Sequence, residues 1–171
     1  MCVVLLAVPA PAAGQTGRRL AIFADEGLTQ STLEDNVPRI ASLYVLDSGD
    51  YSTGVIFATE PSPGFTGVWL GDVSDFLVFG NSQTSISIGY GSCHPLPVVA
   101  LTMTYQLLGT SVCSELRITP PDGTPCVLSP DTGCAWLEHC ITDLGHLGVN
   151  CPVATESTTW GSVKALYRLN G

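Results

Sequence analysis

The chain has 171 residues, 45% of them hydrophobic and 12% charged, with a net charge of −9. That is enough apolar material for one domain with a core, but too few Lys, Glu and Arg residues to solubilise long helices, and 18 glycines with 12 prolines favour short strands and turns. Between Leu20 and Cys151 only Arg39 and Arg117 are basic, so the body repels phosphate backbones and nucleic acid is excluded as a partner.

In chain order, Cys2 to Ala13 is an apolar run that ends in small residues, and residues 1–13 read as the remnant of a secretory signal without its basic n-region. The run is too short to span a bilayer, and Pro9 and Pro11 interrupt it, so it predicts no membrane-spanning helix. Arg19–Ala24 is a first strand, followed by an acidic connection through Asn36 and a second strand at Ile40–Leu46. Asp47-Ser48-Gly49-Asp50 reads as a turn, because Asp and Gly accept the backbone angles of a tight reversal. Thr53–Thr59 follows. The prolines at 61 and 63 then exclude a central strand, and Gly67–Leu70 resumes the pattern.

The densest β-patterned stretch runs from Val68 to Cys113. Phe76 and Val78, then Ile86, Ile88 and Tyr90, alternate around Gly80-Asn81-Ser82-Gln83, which predicts two half-buried strands joined by a polar turn. Leu96–Leu108 is a longer strand with Leu101, Met103, Tyr105 and Leu107 on one face and Thr102, Thr104 and Gln106 on the other. Glu115–Thr119, a Pro-Pro-Asp-Gly turn and Thr124–Leu128 form a predicted hairpin. Ala135–Gly148 is open between a short helical turn and irregular loop.

Seven to nine short strands at this spacing predict an all-β fold over residues 19–151, a two-sheet antiparallel β-sandwich, with a closed barrel as the alternative. The tail, residues 152–171, predicts a short C-terminal amphipathic helix: Trp160, Val163 and Tyr167 fall at i, i+3 and i+7, with Lys164 and Arg168 where the helix dipole favours cations. Such a helix either packs on the sandwich or serves as a sorting or attachment tail.

Cys93, Cys113, Cys126, Cys134, Cys140 and Cys151 are an even six in the second half, which predicts three disulfides, a secreted or cell-surface location and fifteen connectivities to choose from. Other chemistries fit the residues less well. Ser92-Cys93-His94 sets a hydroxyl, a thiol and an imidazole side by side, yet neighbours in a strand point to opposite faces, so a hydrolase built on His94 is disfavoured. Cys134, His139, Cys140, His146 and Cys151 lack the paired spacing of a zinc site. Asp47, Asp50, Asp72 and Asp75 supply oxygen ligands in turns without a full calcium loop, so calcium is the one candidate cofactor. Trp69, Tyr90 and Trp136 are candidates for an aromatic platform that would stack on a glycan partner.

The tail Thr158-Thr159-Trp160-Gly161-Ser162-Val163-Lys164-Ala165-Leu166-Tyr167-Arg168, with Gly80-Asn81-Ser82-Gln83 and Gly89-Tyr90-Gly91-Ser92-Cys93, resembles patches of uncharacterised secreted β-sandwich proteins from uncultured bacteria. The resemblance implies export and a β-sandwich, and brings no catalytic residue. The expectation is therefore a non-enzymatic extracellular or cell-surface protein with a structural, adhesion or assembly role, through a protein partner or self-assembly. A carbohydrate-binding module is the first alternative, and an extracellular hydrolase the second.

Overall fold

The computed structural model describes residues 17–110, 112–129, 134 and 139–151. Among these every regular element is a strand: β1 (Arg19–Phe23), β2 (Thr32–Leu33), β3 (Arg39–Ser48), β4 (Tyr51–Pro61), β5 (Val68–Val73), β6 (Leu77–Asn81) and β7 (Ser85–Pro95) in the first half. Then come β8 (Val98–Leu107), β9 (Ser114–Thr119), β10 (Val127–Ser129), β11 (His139–Ile141), β12 (Asp143–Leu144) and β13 (His146–Val149). The signal remnant and the C-terminal tail lie outside the described residues, and with them Trp160, Lys164, Tyr167 and Arg168.

The strands form two sheets. One has the order β12-β1-β3-β8-β5; the other runs β11-β10-β4-β9-β13-β2, with the hairpin β6-β7 joined to it through β4. Period-two alternation sends one side of each strand inward, so Leu43 and Val45 of β3 and Met103 and Tyr105 of β8 meet Val55 and Phe57 of β4 and Ile86 and Ile88 of β7 in a common core. Each fully buried Leu or Phe there contributes about 1.5–3 kcal/mol, which is why register is strongly specified.

Four sequence expectations need correction. The sheets are mixed, not purely antiparallel, because the two-residue strands β12 and β2 pair in parallel with β1 and β13. Asp47 is not a turn residue: β3 continues through Ser48, and the reversal falls at Gly49-Asp50. The segments at Glu115–Thr119 and Val127–Ser129 are not hairpin partners, since β9 pairs β4 and β13 while β10 pairs β4 and β11. Within Ala135–Gly148 the described part is three short strands, β11 to β13, held by long-range pairing that a local reading of a Gly-interrupted segment does not register. The β6-β7 hairpin and the alternation of β8 are as the sequence reads.

The six cysteines pair as Cys93–Cys134, Cys113–Cys151 and Cys126–Cys140, with Cα separations of 5.6, 4.4 and 5.5 Å. Each bridge has at least one cysteine between Cys126 and Cys151, where β10 to β13, of two to four residues each, cannot hold themselves together by packing alone.

Candidate functional site

The cross-strand register of β3, β8 and β5 defines two surfaces. Residues paired directly across a ladder share a face, so one set of rows is Ala41/Tyr105/Trp69 and Leu43/Met103/Asp72. That set points into the sandwich. The alternate rows, Ile40/Gln106/Val68, Ser42/Thr104/Gly71 and Tyr44/Thr102/Val73, point outward, and Leu46 with Val99 continues the same face. None of these outward side chains is charged. Ile40 is 69% exposed, Val73 66% and Val68 48%.

The inward side holds two of the four carboxylates read above as calcium candidates, Asp47 and Asp72. Asp47 is fully buried and paired with Arg18, whose Nη2 lies 2.5 Å from Oδ2 and Nε 3.0 Å from Oδ1. The Tyr90 hydroxyl donates to Asp47 Oδ2 at 2.6 Å, and Arg18 also donates to the Gly54 carbonyl at 3.0 Å and to Ser129 Oγ. Burial, reinforced by the Asp47 carboxylate, raises the Tyr90 hydroxyl well above its ordinary value, so it stays a donor. The cluster ties β3 to β4, β7 and β10 across the two sheets. Asp72 accepts from Trp69 Nε1 at 2.9 Å, from the Ser82 backbone N at 2.7 Å and from Ser82 Oγ at 2.9 Å, which fastens β5 to the turn after β6.

Asp50 and Asp75 are exposed, in the connections before β4 and β6. Asp47 and Asp72 therefore spend their oxygens on protein donors, and no group of three or more His, Cys, Asp or Glu side chains among the described residues is placed to hold a metal ion. The soft-ligand set is dispersed as well, because Cys134, Cys140 and Cys151 are each bridged to a different partner.

The aromatic candidates are not assembled into a platform. Trp69 is half-buried against the core with its indole N–H on Asp72, and Tyr90 is 7% exposed with its hydroxyl on Asp47. Trp136 lies outside the described residues. His94 stacks edge-on to Phe76, with ring centroids 5.4 Å apart, beside the buried Tyr90 ring, while its neighbour Cys93 is bridged and so is no free thiol nucleophile.

A polar cleft of about 670 Å³ opens beside Glu34, Asn36 and Asn150. Its floor is the buried Asp35, which accepts from the backbone N–H groups of Gly109 (3.0 Å) and Thr110 (2.8 Å). Burial alone would raise the Asp35 carboxyl; the hydrogen bonds from Thr110 and Gly109, with the nearby Arg39 charge, outweigh it and hold the group below the usual carboxylate range. Asn150, in a left-handed conformation (φ 51°), accepts from Asp35 N and donates to the carbonyls of Asp35 and Thr110. The arrangement is a structural knot between the connections after β2, β8 and β13.

The outward residues Ile40, Val68 and Val73 were not among the sequence-based site candidates. The signal was present: IASLYVL and VWLGDV place apolar side chains on both phases of the strand, which one buried face does not require.

No protein-family model matches the chain, and no curated protein matches it in sequence. Among solved structures it is similar to the sixth cohesin of scaffoldin B from Acetivibrio cellulolyticus, solved in complex with a Cel5 dockerin, at 12% identity and a TM-score of 0.55, covering 80% of this chain and 100% of that one. A cohesin module of a family 33 glycoside hydrolase from Clostridium perfringens is similar at 10% identity and a TM-score of 0.56, covering 78% of this chain and 96% of that one. At these identities the likeness concerns the fold, and the described chain is an all-β, cohesin-like β-sandwich.

Proposed function

We propose that this chain is a non-enzymatic, exported binding module that docks a protein partner on the outer face of β3, β8 and β5, and through it takes part in an extracellular or cell-surface assembly. The observation that carries the reading is the row pattern Ile40/Gln106/Val68, Ser42/Thr104/Gly71 and Tyr44/Thr102/Val73: a sheet face without charge, mixed apolar and hydroxyl, on a protein of net charge −9. Depletion of charge with exposed apolar and aromatic side chains marks the core of protein interfaces, and hydroxyl and amide groups between them supply hydrogen bonds. The cohesin-like fold supports it, because the Acetivibrio cellulolyticus module was solved with a protein bound. Three disulfides support export to an oxidising compartment. A glycan partner has less behind it, since Trp69 and Tyr90 turn inward.

The test is site-specific photo-cross-linking in the native host. A photoreactive residue at Thr104 should capture a protein partner, one at Glu60 should not, and capture should be lost in Ile40→Asp and Val73→Asp. Capture indifferent to both substitutions would sink the reading.

A further inference from the structure

Among the described residues five strands close the sheets at their edges, and four carry a feature that discourages further pairing. β12 and β2 have two residues each and β11 has three. β5 is bulged, with a register shift between Trp69 and Gly71 that leaves Leu70 unpaired. Very short strands and bulges are the ordinary protection of sheet edges. β6 has neither. Among the described residues it pairs on one side only, with β7, in unbroken register from Leu77↔Gly89 to Asn81↔Ser85, and its outward side chains Leu77 and Phe79 are 62% and 64% exposed. It also opens the longest uncharged part of the chain: from Phe76 to Ser114 there is no Asp, Glu, Lys or Arg.

We infer that β6 is a self-association edge, which pairs antiparallel with β6 of a second copy of this chain across a two-fold axis. Charge permits that occupant, and the self-complementarity of the edge selects it. A two-fold contact sets the same patch against itself, so in a protein of net charge −9 an uncharged patch adds no local like-charge repulsion between copies. With Val78 on the axis, Leu77 of each copy lies opposite Phe79 of the other, two reciprocal aliphatic–aromatic pairs on the outer face. The nearest carboxylate, Asp75, then lies towards Asn81 of the second copy and not towards its own counterpart. Gly80 ends the extended segment with φ 83°, and a side chain there would meet the Ser85 carbonyl at 2.1 Å, so the new ladder is confined to about the Leu77–Phe79 segment. So short a contact falls below the roughly 1,600 Å² of a stable interface, and the dimer is weak and concentration-dependent.

Sedimentation velocity of the purified, oxidised chain from about 5 µM to about 500 µM tests this, that range bracketing a weak association. The expected result is a shift from monomer to dimer that Phe79→Glu and Leu77→Glu each abolish while keeping the wild-type melting curve, and that Ile40→Asp leaves intact. Ile40→Asp removes only the partner-docking face, so the two proposals fail separately. Amide exchange gives a second readout that needs no variant: protection at 77–79 should rise with concentration, while that at 68–73 stays constant. A monomer throughout the range, a dimer indifferent to both Glu variants, or a dimer lost in Ile40→Asp would each overturn the inference.

Discussion

The two faces of the sheet β12-β1-β3-β8-β5 invert the usual arrangement. Its inner surface carries Asp47 and Asp72, each held by protein donors, while the outer surface of β3, β8 and β5 carries Ile40, Tyr44, Val68 and Val73 without a charge, the exposed ion pair of Arg19 and Asp143 lying apart on β1 and β12. Both arrangements occur on the same strands, so neither follows from composition. The difference separates two roles: hydrogen-bonded carboxylates inside lock the sheets to each other, and the uncharged outer face of β3, β8 and β5 is the surface proposed to dock another molecule.

The largest effect comes from breaking the inner surface. Asp47→Ala leaves the buried Arg18 guanidinium without its counter-charge and the Tyr90 hydroxyl without its acceptor, and should cost about 3–5 kcal/mol in urea unfolding. The double variant Arg18→Met with Asp47→Leu should recover most of that loss. A double variant no more stable than Asp47→Ala would show that the site's shape, not its uncompensated charge, sets the cost.

A smaller effect is expected at the Asp35 knot, where Asp35→Asn turns a donor towards the backbone N–H of Gly109 or Thr110 and should cost about 1–3 kcal/mol at neutral pH. The folded carboxyl titrates below its ordinary 3.8, so its contribution is complete above that value and is lost as the pH falls through the lower folded one. Thermal melts of the variant and the wild type should therefore converge below pH 3.8. A gap that stays constant into that range would contradict the hydrogen-bonded carboxylate.

The smallest effect on stability belongs to the outer face. Ile40→Asp and Val73→Asp, both at exposed positions, should change the unfolding free energy by no more than about 0.5 kcal/mol while removing the cross-linked partner. A large loss of stability would mean that the face is packed within the chain and is not a docking surface.

Much of this was legible beforehand. Leu101, Met103, Tyr105 and Leu107 of β8 alternate cleanly with Thr102, Thr104 and Gln106, and the buried and outward sides follow directly. In β3 the reading stalls, because Ile40, Tyr44 and Leu46 are as apolar as Leu43 and Val45, and alternation alone cannot say which phase is buried. The uncharged run from Phe76 to Ser114 could have been read from the residues as a sign that β6 and β7 offer no charge to solvent. Asp47 and Asp72 read as loop ligands because Asp is common in turns, a local preference that the distant Arg18, Tyr90 and Ser82 override.

The sequence by itself determined the all-β class, the sign of the surface charge and the membership of six cysteines in bridges, since each depends on residue type and short-range alternation. Only the tertiary structure decided which cysteines pair, which strands neighbour one another, and that carboxylates face inward while Ile40, Val68 and Val73 face out. The physical reason is that ladder register and inter-sheet contact are set between residues far apart in the chain, where local pattern carries no information about the partner.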